Sequence, residues 1–365
     1  MFGSIHNAFG LDINDLSIKL VELKKKTAFG KKIKIALSNF GTIPMPSGII
    51  VDGKINDKHR LAEEIKKLVK EKLLKKIASD GVIVNLPDTQ TFMTTVQLTN
   101  SVTDWDEAIL RTVEKSIPLP PSKIYFDWRV INESNDKKTK QILLGAVDQE
   151  VANAYTGIIE SAGLTPVALE LGQLATIRAL MSYENPSTEP LAIIDIGASR
   201  SAIIIYDQGS AQVSLSLPFS VKSITDVVSE ALKISFVEAE KVLVRCGFDV
   251  KECDIELKQI VKQLINDLAL RVREAFRYYQ EKSGLANFKP TQIILCGGGA
   301  NIKKIDSVLT EKLKIKTKVG NPLLNLVSDK IKFTDGPLSY TTAIGLALLP
   351  IVSFPNNFDH QNNNT

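Results

Sequence analysis

Two acidic residues end β-prone runs in matching settings, and their surroundings suit an anionic ligand held through a cation. "LAIID" leads into Asp195-Ile196-Gly197-Ala198-Ser199-Arg200-Ser201 and then "AIIIY"; "AFGLD" leads into Asp12-Ile13-Asn14-Asp15-Leu16-Ser17 and then "IKLVEL". The two carboxylates stand about half the chain apart, which suggests two related halves that each offer a hairpin turn. A tight turn built from Gly or Asn with Ser and Ala lets backbone N–H groups converge on phosphate oxygens. An Asp beside such a turn repels phosphate unless a cation lies between them, and Mg²⁺ suits the role because it takes oxygen ligands and needs only one or two carboxylates. A third element fits the same ligand. "TQIILC" is a buried β-run that ends in Gly297-Gly298-Gly299-Ala300-Asn301 and continues into a helix with Ile302, Ile305, Val308, Leu309 and Leu313 at helical spacing. Three glycines allow a flat ligand to approach the backbone, and a helix start presents unsatisfied N–H groups to it. The pattern is neither a P-loop nor G-x-G-x-x-G.

The elements that must hold these turns follow in chain order. Residues 10 to 40 read as hairpin strands, 57 to 78 as an amphipathic helix, and "GVIVNLP" (81 to 87) as a buried strand. Residues 88 to 165 change texture: strand "FMTTVQL", helix "TDWDEAILRTVEKSI", strand "KIYFDWRVI", strand "QILLGAV" and helix "QEVANAYTGIIESAG" make a βαββα insert, with "TPVALEL" as a closing strand. "ENPSTEP" (184 to 190) reads as a linker, and 222 to 285 as mostly helical.

Composition narrows the function classes. With 365 residues and 44% hydrophobic content the chain can bury an ample core over two or three domains. Cys246, Cys253 and Cys296 show no metal spacing and His6, His59 and His360 are scattered, so a reduced cytosolic protein without a structural metal is expected. "AIGLALLPIVSF" falls short of the roughly 20 apolar residues of a membrane span and no secretory signal opens the chain, so no direct membrane insertion is expected. A net charge of +4 is too mild to imply nucleic acid. Its distribution is uneven. Lys24, Lys25, Lys26, Lys31, Lys32 and Lys34 gather near a hairpin tip, and Lys66, Lys67, Lys70, Lys72, Lys75 and Lys76 load the 57 to 78 helix; a solvated face is the preferred reading and contact with anionic lipid the alternative.

"GLDINDLSIKLVEL", "GLTPVALELGQLATIRAL", "IIDIGASRSAIII" and "LCGGGANIKKIDSVLTEKL" together resemble the actin-like ATPase superfamily and, within it, the PilM family of type IV pilus assembly proteins, over nearly all of residues 8 to 350. The resemblance implies an α/β, ribonuclease H-like, two-lobed duplicated fold with an α+β subdomain inserted in the first lobe. The first lobe would comprise 1–87 and 166–187, the insert 88–165, the second lobe 188–221 and 286–353, its helical subdomain 222–285, and a disordered tail 354–365. It implies ATP or ADP with Mg²⁺ as ligand. Asp12 and Asp195 would lie near the metal, with Asn14, Asp15, Ser17, Gly197, Ala198, Ser199 and Ser201 around the phosphates. Gly297, Gly298, Gly299, Ala300 and Asn301 would line base and ribose, and Glu240 would reach the ribose hydroxyls, with Glu238 and Lys241 as weaker candidates.

Three departures from the family pattern bear on activity. Asn14 stands where the family has Gly, a replacement Asn serves because it tolerates left-handed dihedrals. Leu243 replaces a lysine of the helix after "EAEK". Gly172 falls where an acidic or amide residue orients the attacking water; Glu170, two residues earlier on the same side of a strand, is the candidate catalytic substitute. Hydrolysis needs that water in line, so ATP is expected to be bound with slow or absent turnover, as a structural or regulatory ligand.

The resemblance also implies a partner, the short cytosolic N-terminal segment of a PilN-like inner-membrane protein, held between the first-lobe core and the insert, together with other pilus platform proteins. The chain would be cytoplasmic and peripheral at the inner face of the membrane through these partners. Three alternatives stay open: an FtsA-like division protein, which the polar tail "FPNNFDHQNNNT" disfavours for want of an apolar anchoring face; a small-molecule kinase of the same superfold; and a self-associating scaffold.

Overall fold

The computed structural model describes residues 8–26, 33–73, 75–99, 104–134, 136–249, 255–285, 287–327, 333 and 336–352. Lys31, Lys32, Cys253, His6, His360 and the tail expected at 354–365 lie outside them. The chain divides into two compact units, one of residues 1–187, 208–212 and 322–365, the other of 188–207 and 213–321.

In the first unit β1 (Phe9–Ile13) and β2 (Ser17–Lys26) form an antiparallel hairpin, and β3 (Lys34–Pro44) adds beside β2. A short hairpin, β4 (Ile50–Val51) with β5 (Lys54–Ile55), precedes α1 (Lys58–Glu71). Asp57 caps α1 by accepting from the Arg60 N–H, and Leu61, Ala62, Ile65 and Leu68 bury its apolar stripe. The helix stops at Glu71, earlier than the pattern over 57 to 78 predicts. The residues beyond it are drawn onto β2 and β3 instead, through Asn39 Nδ2 to the Lys75 carbonyl (2.6 Å) and the Ala78 N–H to Glu22 Oε1 (2.6 Å).

β6 (Gly81–Leu86) joins β1 in parallel. Then β7 (Thr91–Thr99), α2 (Trp105–Ser116), β8 (Ile124–Glu133) and β9 (Thr139–Asp148) build a separate sheet of order β7-β9-β8. Ile109 and Val113 of α2 pack on Phe92, Val96, Leu98, Ile142 and Leu144, with Trp105 stacked on Trp128 at 5.9 Å between centroids. "FMTTVQL" is therefore a core-facing strand, although it lies at a sheet edge.

α3 (Gln149–Ser161) corrects the expected insert boundary. Its Ala152, Tyr155, Ile158 and Ile159 belong to the same apolar cluster as Phe9, Leu11, Val82 and Val84, so it is part of the five-stranded sheet's layer. β10 (Thr165–Leu171) pairs in parallel with β6, and α4 (Gly172–Leu180), buried along its whole length, follows directly. The sheet order is β10-β6-β1-β2-β3.

The second unit repeats this order. β11 (Leu191–Ile196), β12 (Ser201–Asp207), β13 (Ser210–Leu217, of which 213–217 fall in this unit), α5 (Val221–Leu232), α6 (Phe236–Cys246), α7 (Ile255–Ser283), β14 (Gln292–Cys296), α8 (Ile305–Leu313) and β15 (Lys316–Val319) give a sheet β13-β12-β11-β14-β15. In each sheet the first strand is central, a hairpin partner and a third strand lie on one side, and two parallel strands lie on the other. The duplication expected from the paired hairpins is thus present as repeated topology. Tyr279 of α7 donates its hydroxyl to Asp207 Oδ2 at 3.0 Å, a buried pair that fixes the helix to β12.

The chain then returns to the first unit through α9 (Thr341–Leu348), against the expectation that 286–353 lies wholly in the second lobe. The return depends on glycine. A Cβ at Gly345 would collide with the Ala175 carbonyl of α4, and one at Gly10 would meet Ala347 N of α9 at 2.7 Å. Gly345→Ala should therefore destabilise the protein by about 1–3 kcal/mol through overpacking. Gly157→Ala, on α3 with open space around the new methyl, should be neutral or stabilise by up to about 1 kcal/mol. Denaturant unfolding of the two variants checks the contrast.

Candidate functional site

In the first hairpin Asp12 is the penultimate residue of β1, with Lys19 directly opposite on β2. The turn closes through the Asn14 N–H to the Ser17 carbonyl (3.0 Å), and Asn14 Nδ2 donates to Asp12 Oδ1 (2.8 Å). The Ile13 N–H donates to Asn85 Oδ1 (2.8 Å), which ties the end of β1 to the end of β6. Asp12 is only 4% exposed. Burial pushes its carboxyl above the ordinary range, and the opposing pull of Lys19 and the Asn14 amide does not reverse this.

Lys19 Nζ also accepts a place beside Ser17, donating to its Oγ at 2.6 Å. Ser17 and Lys19 alternate on one strand face, so a hydroxyl and an ammonium group flank the Asp12 carboxylate. Sequence reading missed Lys19; the signal was its position, since 12 and 19 are equally far from the centre of the turn. Asp15 is used differently from the phosphate role expected of it. Its carboxylate accepts the backbone N–H groups of Asp52 (3.1 Å) and Gly53 (3.2 Å), which holds the β4–β5 turn.

The Glu170 expectation meets two corrections. Gly172 is the first residue of α4, so Glu170 and Gly172 do not share a strand face. Glu170 is also buried in a bidentate pair with Arg178: Nη1 donates to Oε2 at 2.8 Å, Nη2 donates to Oε1, and Nη1 reaches the Gly345 carbonyl at 2.9 Å. The carboxylate is committed to joining β10, α4 and α9. A side chain at position 172 would start 3.4 Å from Asp88 Oδ1. The adjacent Gln173 is buried with its Oε1 lacking a protein partner, a feature that no sequence pattern marks.

The second hairpin turns through the Gly197 N–H to the Arg200 carbonyl (2.8 Å). The start of α5 docks on it, with Val221 and Lys222 N–H groups donating to the Gly197 and Ala198 carbonyls (3.1 and 2.9 Å). Ala198 is exposed and Ser199 half-buried, whereas Ser201 is buried with an Oγ that has no protein partner.

The triple-glycine turn lies against this hairpin. A Cβ at Gly297, whose φ is +74°, would collide with Asp195 Oδ1, and one at Gly299 would collide with Ile196 Cγ2. These two glycines thus serve the approach of the β11 end. Gly298 and Asn301 form the exposed part of the turn, and Ala300 is buried. Gly298–Asn301 is a short 3-10 turn, and α8 begins only at Ile305. The helix start is therefore displaced from the glycines, contrary to the expected direct junction. Burial, and then the neighbouring Asp195 carboxylate, raise the Cys296 thiol well above its usual range, so it stays protonated and unreactive.

On α6, Glu240 and Lys241 are exposed, Leu243 is buried, and Glu238 is engaged with Ser235 in a capping box. α6 ends beside the segment after the glycine turn: the Phe248 N–H donates to the Lys303 carbonyl at 2.8 Å.

Among the described residues no cluster of three or more His, Cys, Asp or Glu side chains collects.

Because the folded pKa of Asp12 is raised, its contribution to stability is present below the unfolded value of 3.8 and is lost as pH rises through the folded value. Asp12→Asn should therefore raise the thermal midpoint of the ligand-free chain at pH 7, and the gain should shrink as the pH is lowered toward 4. Calorimetry across that range measures both.

Comparison with known proteins places this geometry. The family described as type IV pilus assembly protein PilM matches residues 10–350. Among solved structures, a PilM–PilN type IV pilus biogenesis complex has a TM-score of 0.78 at 21% identity, covering 95% of this chain and 99% of that one. MreB5 of Spiroplasma citri bound to ADP has a TM-score of 0.53 at 14% identity, covering 93% and 95%. In sequence, the cell division protein FtsA of Buchnera aphidicola subsp. Baizongia pistaciae is 23% identical over 232 residues, 57% of this chain and 54% of the relative. FtsA of Borreliella burgdorferi is 26% identical over 183 residues, 45% and 44%. The chain spans about half the length of these curated relatives. The fold is actin-like, and the match over 10–350 leaves the FtsA proteins as partial relatives: this chain belongs to the PilM family of type IV pilus assembly proteins.

Proposed function

We propose that this chain binds ATP or ADP with Mg²⁺ as a structural or regulatory ligand of the type IV pilus assembly platform, with turnover slow or absent. The observation that carries the reading is the turn 297–299 seated on Asp195 and Ile196, which brings an exposed Gly298 and Asn301 beside the second hairpin within one unit. Asp12 and Asp195 are the residues for the cation, through its waters. Asn14, Ser17, Lys19, Gly197, Ala198, Ser199 and Ser201 are those for phosphate oxygens, and Glu240 with the glycine turn those for ribose and base. When bound, Mg²⁺ supplies the charge that a buried Asp12 and nearby phosphates need to coexist. The unpartnered Ser201 Oγ and the raised Asp12 both fit such a ligand.

Slow turnover is supported by the side chains at the end of β10: Glu170 is held by Arg178, and Gly172 has none to offer a water. Titration calorimetry should show Mg-ATP binding that Lys19→Ala weakens on the order of tenfold or more, the loss of one charge-assisted hydrogen bond. No binding by the intact chain would overturn the reading, as would brisk hydrolysis abolished by Glu170→Gln.

The partner is a PilN-like membrane protein, engaged through a short cytosolic segment, which keeps the chain peripheral at the inner face of the membrane. Among the described residues no helix is long and apolar enough to cross a membrane itself. The edge strand β8 supports a peptide site near the insert, because Tyr125, Phe126 and Val130 are exposed apolar side chains on it. A labelled peptide copying the cytosolic segment of the cognate PilN-like protein should bind in fluorescence anisotropy. Phe126→Asp with Val130→Asp should abolish that signal while Mg-ATP affinity stays unchanged.

A further inference from the structure

Two lysine groups from distant parts of the chain meet at one end of the first unit. Lys24, Lys25 and Lys26 finish β2, Lys34 opens β3 opposite Lys26, and all four are exposed. Lys72, Lys75 and Lys76, also exposed, follow α1. Backbone contacts lay this second group on the β2–β3 pair. The Lys75 carbonyl accepts from Asn39 Nδ2, the Ala78 N–H donates to Glu22 Oε1, and a Cβ at Gly41 would lie 2.9 Å from the Lys72 carbonyl. Lys24 is two residues, roughly 7 Å, beyond Glu22 along the strand. Glu22 itself is buried and turned inward, so the exposed lysines of the two groups, Lys24 and Lys26 on one strand face with Lys25 on the other, make this end of the unit basic, with Glu71 and Asp80 at the margin.

Like charges at this density repel one another and are relieved by an anionic surface. The chemistry of the set points to lipid headgroups. Across 22–26, 34–39 and 71–80 there is no arginine and no aromatic residue, the types that read phosphate forks and stack on bases. Lysine alone, as a mobile point charge, suits the diffuse field of an acidic leaflet. We propose that this lysine face docks the first unit directly on anionic membrane, a contact additional to any protein partner. It stands apart from the nucleotide reading, because it is measured with neither nucleotide nor partner present.

The test is flotation of the full chain with phosphatidylglycerol–phosphatidylcholine vesicles and with phosphatidylcholine alone. Binding is expected only to the anionic vesicles and should fall as salt is raised. Each lysine removed should cost about fivefold in partitioning, so Lys75→Ala with Lys76→Ala lowers it on the order of 25-fold, and Lys24→Ala with Lys26→Ala, which share a strand face, does the same. Lys314→Ala with Lys316→Ala, exposed lysines of the second unit, should leave it unchanged. No binding to anionic vesicles overturns the proposal. So does an equal loss from the second-unit pair, which would mean unspecific basicity, or tighter capture of a short DNA duplex than of vesicles at the same ionic strength.

Discussion

Backbone must approach backbone, or the end of a strand, at a few places where no side chain fits, and the rest of the structure is arranged around those contacts. In the first unit Gly345 of α9 lies against the Ala175 carbonyl of α4, and Gly10 of β1 against α9. That contact returns the end of the chain to the sheet carrying Asp12. In the second unit Gly297 and Gly299 admit the end of β11, so that Asp195, Ile196 and the glycine turn share one location. Only hydrogen at these positions permits both the packing and the placement of the carboxylates at strand ends.

The buried charges divide into two kinds with different physical meaning. Arg178 takes both oxygens of Glu170, and a further Nη1 N–H goes to the Gly345 carbonyl, so the Glu170 carboxylate is engaged without any ligand. Removing either partner would strand a charge in the interior, which explains why such a pair ties three elements together. Asp12 is of the second kind. Its nearest aids, Asn14 and Lys19, leave its carboxyl raised, so the folded chain carries an electrostatic cost there. A carboxylate kept under that cost beside a hydroxyl and an ammonium group is the arrangement expected where an exogenous cation and anion complete the balance.

Each unit's sheet shows how repetition in sequence becomes repetition in topology. The central strand and its hairpin neighbour are local in sequence, whereas the parallel strands β6, β10, β14 and β15 arrive through helices, and β6 and β14, which lie next to the central strands, are buried on both sheet faces. α7, whose Tyr279 is held by Asp207, and α3, whose Tyr155 joins the first sheet's core, are positioned by the same demand to cover those faces.

The short-range features were readable from residues alone: both hairpins, the glycine turn and the βαββα run rest on alternation, turn chemistry and spacing within some twenty residues, whereas the actin-like fold class came from the resemblance of four segments to a known family. Apart from the late start of α8, the misplacements concern long-range packing. α3 reads as the end of an insert because it follows β9 without a break, yet its apolar stripe matches the first sheet. α1 ends at Glu71 although its pattern continues, because Asn39 and Glu22 capture the next backbone groups. Glu170 reads as a candidate catalytic acid until Arg178, eight residues on, is folded over it, and the space a Cβ would take at two of the three glycines is filled by Asp195 and Ile196, contacts that no local pattern marks. Local preference depends on neighbours along the chain and is written into it, while the partner of a buried charge or of a missing Cβ is set only when distant segments compete for the same interior volume.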